Sequence, residues 1–122
     1  MSQRHYRSDK ETTTTTDTKR ITHEKVPTGY VLEVTSFNCA DRTTANKALE
    51  LGYVDGSSVD RVLTFNNGTT NYNCELKGTC FLVEGEAPYA EVTSPTSSDV
   101  FMSSCHGRLW PVAEVKAPDA KV

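Results

Sequence analysis

The sequence has no run of about 18 apolar residues, so no helix is expected to cross a membrane. Its first stretch, MSQRHYRSDKETTTTTDTKR, holds no apolar core of the kind that directs secretion, so the protein is expected to be made and kept in the cytosol. A basic excess is missing as well. The formal charge is −3 and the isoelectric point about 5.6, which argues against general binding to nucleic acid through a positive surface. No Gly-rich phosphate loop, G-x-S-x-G or H-E-x-x-H occurs, so the familiar catalytic signatures are absent.

Other residue types are present but scattered. His5, His23 and His106 lie in three separate regions, with no pair at metal-ligand spacing. The four cysteines, Cys39, Cys74, Cys80 and Cys105, are expected as free buried thiols in a reducing compartment; a Cys74–Cys80 disulfide is the alternative. A zinc site built from Cys74, Cys80, Cys105 and His106 is conceivable, but the spacing is not that of a structural zinc knuckle. Cys105 and His106 are neighbours on an expected strand, so they point to opposite faces and make a poor nucleophile and base. Glu84 and Glu86 flank a Gly85 turn and read as the solvated end of a strand, or as a carboxylate pair. The Asn67-Gly68-Thr69 sequon matters only in a secreted eukaryotic chain. No cofactor is implied.

What the chain does contain is strand and turn. Its 122 residues suffice for one domain with its own core. Short apolar stretches recur about every 8 to 12 residues between Gly, Pro, Ser and Asp, the pattern of an antiparallel sandwich. In Tyr30–Phe37, Tyr30, Leu32 and Val34 alternate and should be core. Residues 45–51 mix helix formers with Leu49, Leu51 and Tyr53 at strand spacing; the closeness of Gly52 and Asp55-Gly56 favours a strand. Val59, Arg61, Leu63 and Phe65 follow on one face. An apolar run Phe81-Leu82-Val83 precedes Tyr89–Val92, Val100–Met102, a turn at Gly107, and a last strand at Leu109–Val112. The expected fold is therefore an all-β, jelly-roll-like antiparallel β-sandwich of about seven to nine short strands over residues 21–112.

Residues 1–20 differ in character. They carry Arg4, Arg7, Lys10, Lys19 and Arg20 against Asp9, Glu11 and Asp17, and almost no aliphatic side chain. The β-branched run Thr12–Thr16 favours extended backbone. Such a segment is expected to be an extended arm ordered by neighbours, either copies of the chain or another protein, with folding back on its own domain as the alternative. Arg4, Tyr6, Arg7, Lys10, Lys19 and Arg20 are its candidate contacts, because a flexible segment binds through a few Tyr and Arg anchors. Residues 113–122 read as a mobile tail. Tyr72, Tyr89 and Trp110 are candidates for a sugar-stacking platform, although Trp110, between Leu109 and Val112, reads more readily as core.

The ordered series Val26-Pro27-Thr28-Gly29 through Thr35, Leu51-Gly52-Tyr53-Val54-Asp55-Gly56, Val83-Glu84-Gly85-Glu86 through Val92, and Ser98-Asp99-Val100 resembles the small β-sandwich accessory proteins of tailed bacteriophage virions, which decorate capsids or sit at head vertices and necks. The resemblance spans roughly residues 21 to 112. It implies a non-enzymatic capsid decoration (cement) protein, acting in the virion after assembly in the host cytoplasm, as a homo-oligomer, a trimer by preference. Its partner would be the major capsid protein or a neck protein, gripped by the arm. A head-neck or vertex adaptor and a glycan-binding module are the alternatives.

Overall fold

The computed structural model describes residues 3–66 and 73–114. Among these, nine strands are seen: β1 Arg4–Thr13, β2 Lys19–Thr22, β3 Tyr30–Asp41, β4 Ala48–Val54, β5 Asp60–Asn66, β6 Asn73–Glu75, β7 Cys80–Val83, β8 Ala87–Thr93 and β9 Val100–Pro111, followed by a short 3₁₀ turn at Val112–Glu114. One sheet runs β1-β9-β3, with β6 and β7 both paired to the far side of β3; the other runs β2-β8-β4-β5. Every pairing is antiparallel. Counting β6 and β7 as one interrupted strand, the order is that of an eight-stranded jelly roll, in which successive strands cross between two facing sheets except for the β4–β5 hairpin.

The core lies between those sheets. Leu32, Val34, Phe37 and Cys39 from β3 meet Leu49 and Leu51 from β4, Leu82 from β7, Ala90 and Val92 from β8, and Phe101, Cys105 and Leu109 from β9. Each set follows the two-residue period that sends alternate side chains inward, with one extra residue between Val34 and Phe37 where the β3 register shifts. Tyr30 falls short of the core and is only half-buried, lying under the Arg4 guanidinium at 4.6 Å.

The N-terminal stretch is not a separate arm. Residues 4–13 pair along their whole length with β9, and Lys19–Thr22 pair with β8, so the sandwich begins at residue 4 rather than 21. The segment needs few apolar residues because it forms edge strands, where one face and one edge remain wet. Only Tyr6 and Ser8 are buried from β1; His5, Arg7, Asp9 and Glu11 face out, and Arg4, on the inward side, is exposed at the end of the sandwich over Tyr30.

Gly107 is likewise not a turn. β9 passes straight through it, opposite an irregularity between Val34 and Ser36 of β3, and a Cβ there would sit on the Glu33 carbonyl oxygen. Glycine is needed because two backbones approach closely. In β5 a bulge opposite Leu51/Gly52 breaks the expected alternation. Leu63 becomes the extra residue and packs inward, while Val62 and Phe65 are exposed. The tail beyond residue 114, the sequon and Tyr72 lie outside the described residues.

Candidate assembly surface

The basic and aromatic residues of the N-terminal strands are mostly engaged within the fold. Tyr6 is buried and donates its hydroxyl to the Glu24 carbonyl at 2.7 Å. Arg7 pairs with Asp9 at 2.9 Å, and Lys10 reaches Glu24 at 3.1 Å and the Thr22 carbonyl at 3.0 Å. His106 binds the same Asp9 at 2.8 Å. Hydrogen bonds from Ser104, Arg7 and His106 hold the Asp9 carboxyl well below the usual carboxylate range. Lys19 is exposed at the start of β2.

Arg20 crosses the outer face of the β2-β8-β4-β5 sheet. Its guanidinium stacks on the Tyr89 ring at 3.7 Å and binds Glu91 and Asp60, each at 2.7 Å. Beneath the ring lies Gly52, where a Cβ would strike Tyr89 and the Arg61 carbonyl. The Tyr89 hydroxyl donates to Glu50, and burial together with that carboxylate pushes its pKa up. Tyr89 is thus sealed from solvent between a glycine and an arginine and presents no ring face to a sugar. With Trp110 on the other sheet, these residues form no shared stacking platform.

Trp110 is not core either. It projects from β9 on the outer face, half-buried, with its Nε1–H donated to Glu33 at 2.9 Å. Across β3 the register places Val31 opposite both Trp110 and Val83. Phe81, two residues before Val83, stands on the same face. Phe81 is 62% exposed, Val83 53% and Val112, just past the strand, 47%. Together Val31, Phe81, Val83, Trp110 and Val112 make an apolar patch on the outside of the five-stranded sheet, rimmed by Glu33 and Arg108, which lie 4.0 Å apart. Of the run Phe81-Leu82-Val83 only Leu82 faces inward. Treated as a uniformly interior run, its outward pair is invisible; read with period two, the same three residues give it away.

The catalytic and metal readings meet a different geometry. Cys74 stands opposite Cys39 and Cys80 opposite Val34, on the same side of β3. Five residues along a strand span roughly 15 Å, so Cys74 and Cys80 cannot bond or share an ion. Cys105 faces the core from β9, on the far side of β3, and His106 turns the other way to Asp9. Among the described residues no three His, Cys, Asp or Glu side chains converge on one point. Glu84 and Glu86 are not a carboxylate pair: Glu84 accepts from the Gly29 N–H and Glu86 from the Val83 N–H, each at 2.8 Å, pinning the β7–β8 turn.

Two buried polar clusters carry no signal in the sequence. His23, from the β2–β3 connection, lies between Ser8 Oγ at 2.7 Å and Ser103 Oγ at 2.9 Å, edge-on to Phe37. Ser103 donates to the Asn38 carbonyl, so it accepts from His23 Nε2, leaving Nδ1 to accept from Ser8. Ser8 has one proton and a second acceptor in Glu24 at 2.9 Å, and so serves one of the two at a time. Nearby, toward the start of β9, Asp41 and Asp99 are sealed from solvent side by side. Asp41 accepts from the Thr43 and Thr44 amides and Asp99 from the Thr44 hydroxyl, but neither Oδ2 has a conventional donor. Burial, then the Asp99 carboxyl, raises the Asp41 pKa, as for two acids sharing one proton.

No family description and no curated relative matches the chain. The fold is similar to that of a solved structure from Bacillus endospore appendages, described as a novel family of disulfide-linked pili. The TM-score is 0.52 over 92% of this chain and 90% of the other, at 8% sequence identity, so what the two chains share is the fold.

Proposed function

We propose that this protein is a non-enzymatic structural subunit of a virion, a capsid decoration protein in which copies of the chain join one another through the patch of Val31, Phe81, Val83, Trp110 and Val112. The patch carries the reading. Large exposed apolar side chains contiguous on a flat sheet face mark association surfaces, and a tryptophan among them is a natural anchor. Shell attachment through a free N-terminal arm is set aside, because that segment is the edge of the sandwich. A second reading, a subunit of an appendage fibre, is favoured by the likeness in fold to a pilus protein.

One experiment separates these outcomes. The native mass of the full chain is measured by light scattering over a range of concentrations, with electron microscopy of the largest species. Closed rings of fixed copy number support the decoration role, and open-ended filaments support the fibre, since a rotation that fails to close makes a helix. Phe81→Lys with Val83→Lys is expected to yield a monomer of unchanged circular dichroism. A wild-type monomer at every concentration overturns both readings.

A further inference from the structure

We propose that Cys39 and Cys74 form a dithiol site that reacts with small disulfides of the glutathione class and closes into a cross-strand bond between β3 and β6.

The register carries the argument. Cys39 and Cys74 are direct partners across the β3–β6 ladder. The Leu76 amide donates to the Phe37 carbonyl at 2.9 Å, one step outside the paired residues. Because hydrogen-bonded and non-bonded positions alternate along an antiparallel ladder, that places Cys39 and Cys74 at the next bonded position, with Cα atoms about 5.5 Å apart. This lies at the centre of the range that a disulfide spans. Both side chains point inward on the same face, and each thiol is within hydrogen-bonding reach of the other.

The two sulfurs are not equivalent. Cys39 is fully buried between the sheets; Cys74 is also buried, at 4% exposure, but it borders a cleft of about 560 Å³ together with Thr64, Phe65, Asn73, Glu75 and Lys77, through which an oxidant can approach. Hydrogen bonds from Cys39 and from the Thr64 hydroxyl favour the Cys74 thiolate, while the neighbouring Cys74 and burial hold Cys39 in its protonated form. This is the division between an attacking and a resolving cysteine. Cys74 Sγ attacks the oxidant's disulfide, forming a mixed disulfide and releasing one small thiolate. Cys39 then loses its proton, its sulfur attacks Cys74 Sγ, and the second small thiolate leaves. Two electrons pass from the cysteines to the oxidant, and their two protons end on the released thiols.

Cys80 and Cys105 take no part. They flank β3 from opposite sides, opposite Val34 and Phe37 respectively, so two strand spacings of roughly 10 Å and an offset along the strands separate them, beyond the reach of a disulfide.

The test uses the full reduced chain incubated with oxidised glutathione, quenched with iodoacetamide under denaturing conditions and mapped by mass spectrometry. The expected product lacks two hydrogens, carries a Cys39–Cys74 link, and is alkylated at Cys80 and Cys105. Its melting temperature should rise by about 10 °C, since the bond closes a long loop anchored by the three-residue strand β6. Cys39→Ser should instead trap glutathione on Cys74, and Cys80→Ser should oxidise as the wild type does. Four alkylated cysteines in the treated wild type, or a link other than Cys39–Cys74, overturns the proposal.

Discussion

His23 shows how one buried side chain sets an acid limit on the fold. Burial, followed by the charge of Lys10, holds its pKa down to about 4 against an ordinary value of 6.5. The neutral ring therefore stabilises the fold fully above pH 6.5, and that stability drains away as pH falls toward and through 4. A depression of this size corresponds to about 3 kcal/mol at the acid end. His23→Gln is expected to be less stable than wild type at pH 7.5 but to lose less stability between pH 7 and 4 in urea titrations. Parallel acid limbs would mean that other groups dominate. The Asp41–Asp99 pair has the opposite sign. Asp41 is raised, so its contribution is present below about pH 4 and is lost as pH climbs through the raised value. Asp41→Asn places a permanent N–H donor beside Asp99, and should match or exceed wild type by about 1 kcal/mol at pH 8 while gaining nothing at pH 4. Equal destabilisation at both pH values would count against the shared proton. Gly107 poses a steric problem rather than one of charge. Gly107→Ala sets a methyl group on the Glu33 carbonyl, and a loss of about 3 kcal/mol in chemical denaturation is expected; a loss under 1 kcal/mol would show that β3 and β9 separate easily at that point.

At the scale of elements, much of the sandwich is legible in the sequence. Leu32 and Val34 alternate as a half-buried strand must, and turns at Pro27–Gly29 and Glu84–Glu86 separate strands where the turn residues suggest. The departures share one physical origin, which is that local pattern does not reveal pairing partners. Strand β1 is hidden because an edge strand needs only Tyr6 and Ser8 inside, so its average composition is that of a disordered tail. Gly107 mimics a turn because glycine serves both a bend and a close crossing, and only the β3 partner tells them apart. Trp110 sits between apolar neighbours, yet strand alternation sends it outward while Leu109 goes in. The outer apolar patch combines residues from β3, β7 and β9, and no single stretch of sequence contains it. Deleting residues 1–13 tests the status of β1. The truncated chain is expected to melt at least 10 °C lower and to aggregate, since the β9 edge would be bared and the hydrogen bonds of Tyr6 and Ser8 and the Lys10–Glu24 ion pair would go with the strand. A truncated chain as stable and soluble as the full one would return the segment to the role of a dispensable arm.

For the whole molecule, the two sheets divide labour. The outer face of the β2-β8-β4-β5 sheet is closed by the Arg20, Tyr89, Glu91 and Asp60 stack, a set of charges satisfied within the chain. The outer face of the other sheet carries apolar side chains that no part of the described fold covers. One face is closed by contacts within the chain and the other is left open. The jelly-roll order also has a consequence in time. β9, inside its sheet, bonds on one side to β1 and on the other to β3, yet among the described strands β1 is the first and β9 the last in sequence. Strand β1 must therefore wait, unpaired, until β9 has been synthesised, and this sheet closes only after translation has reached Pro111. Its many charged and hydroxyl side chains keep that waiting strand soluble, so the composition that makes the N-terminus resemble a tail is what the order of synthesis demands of it.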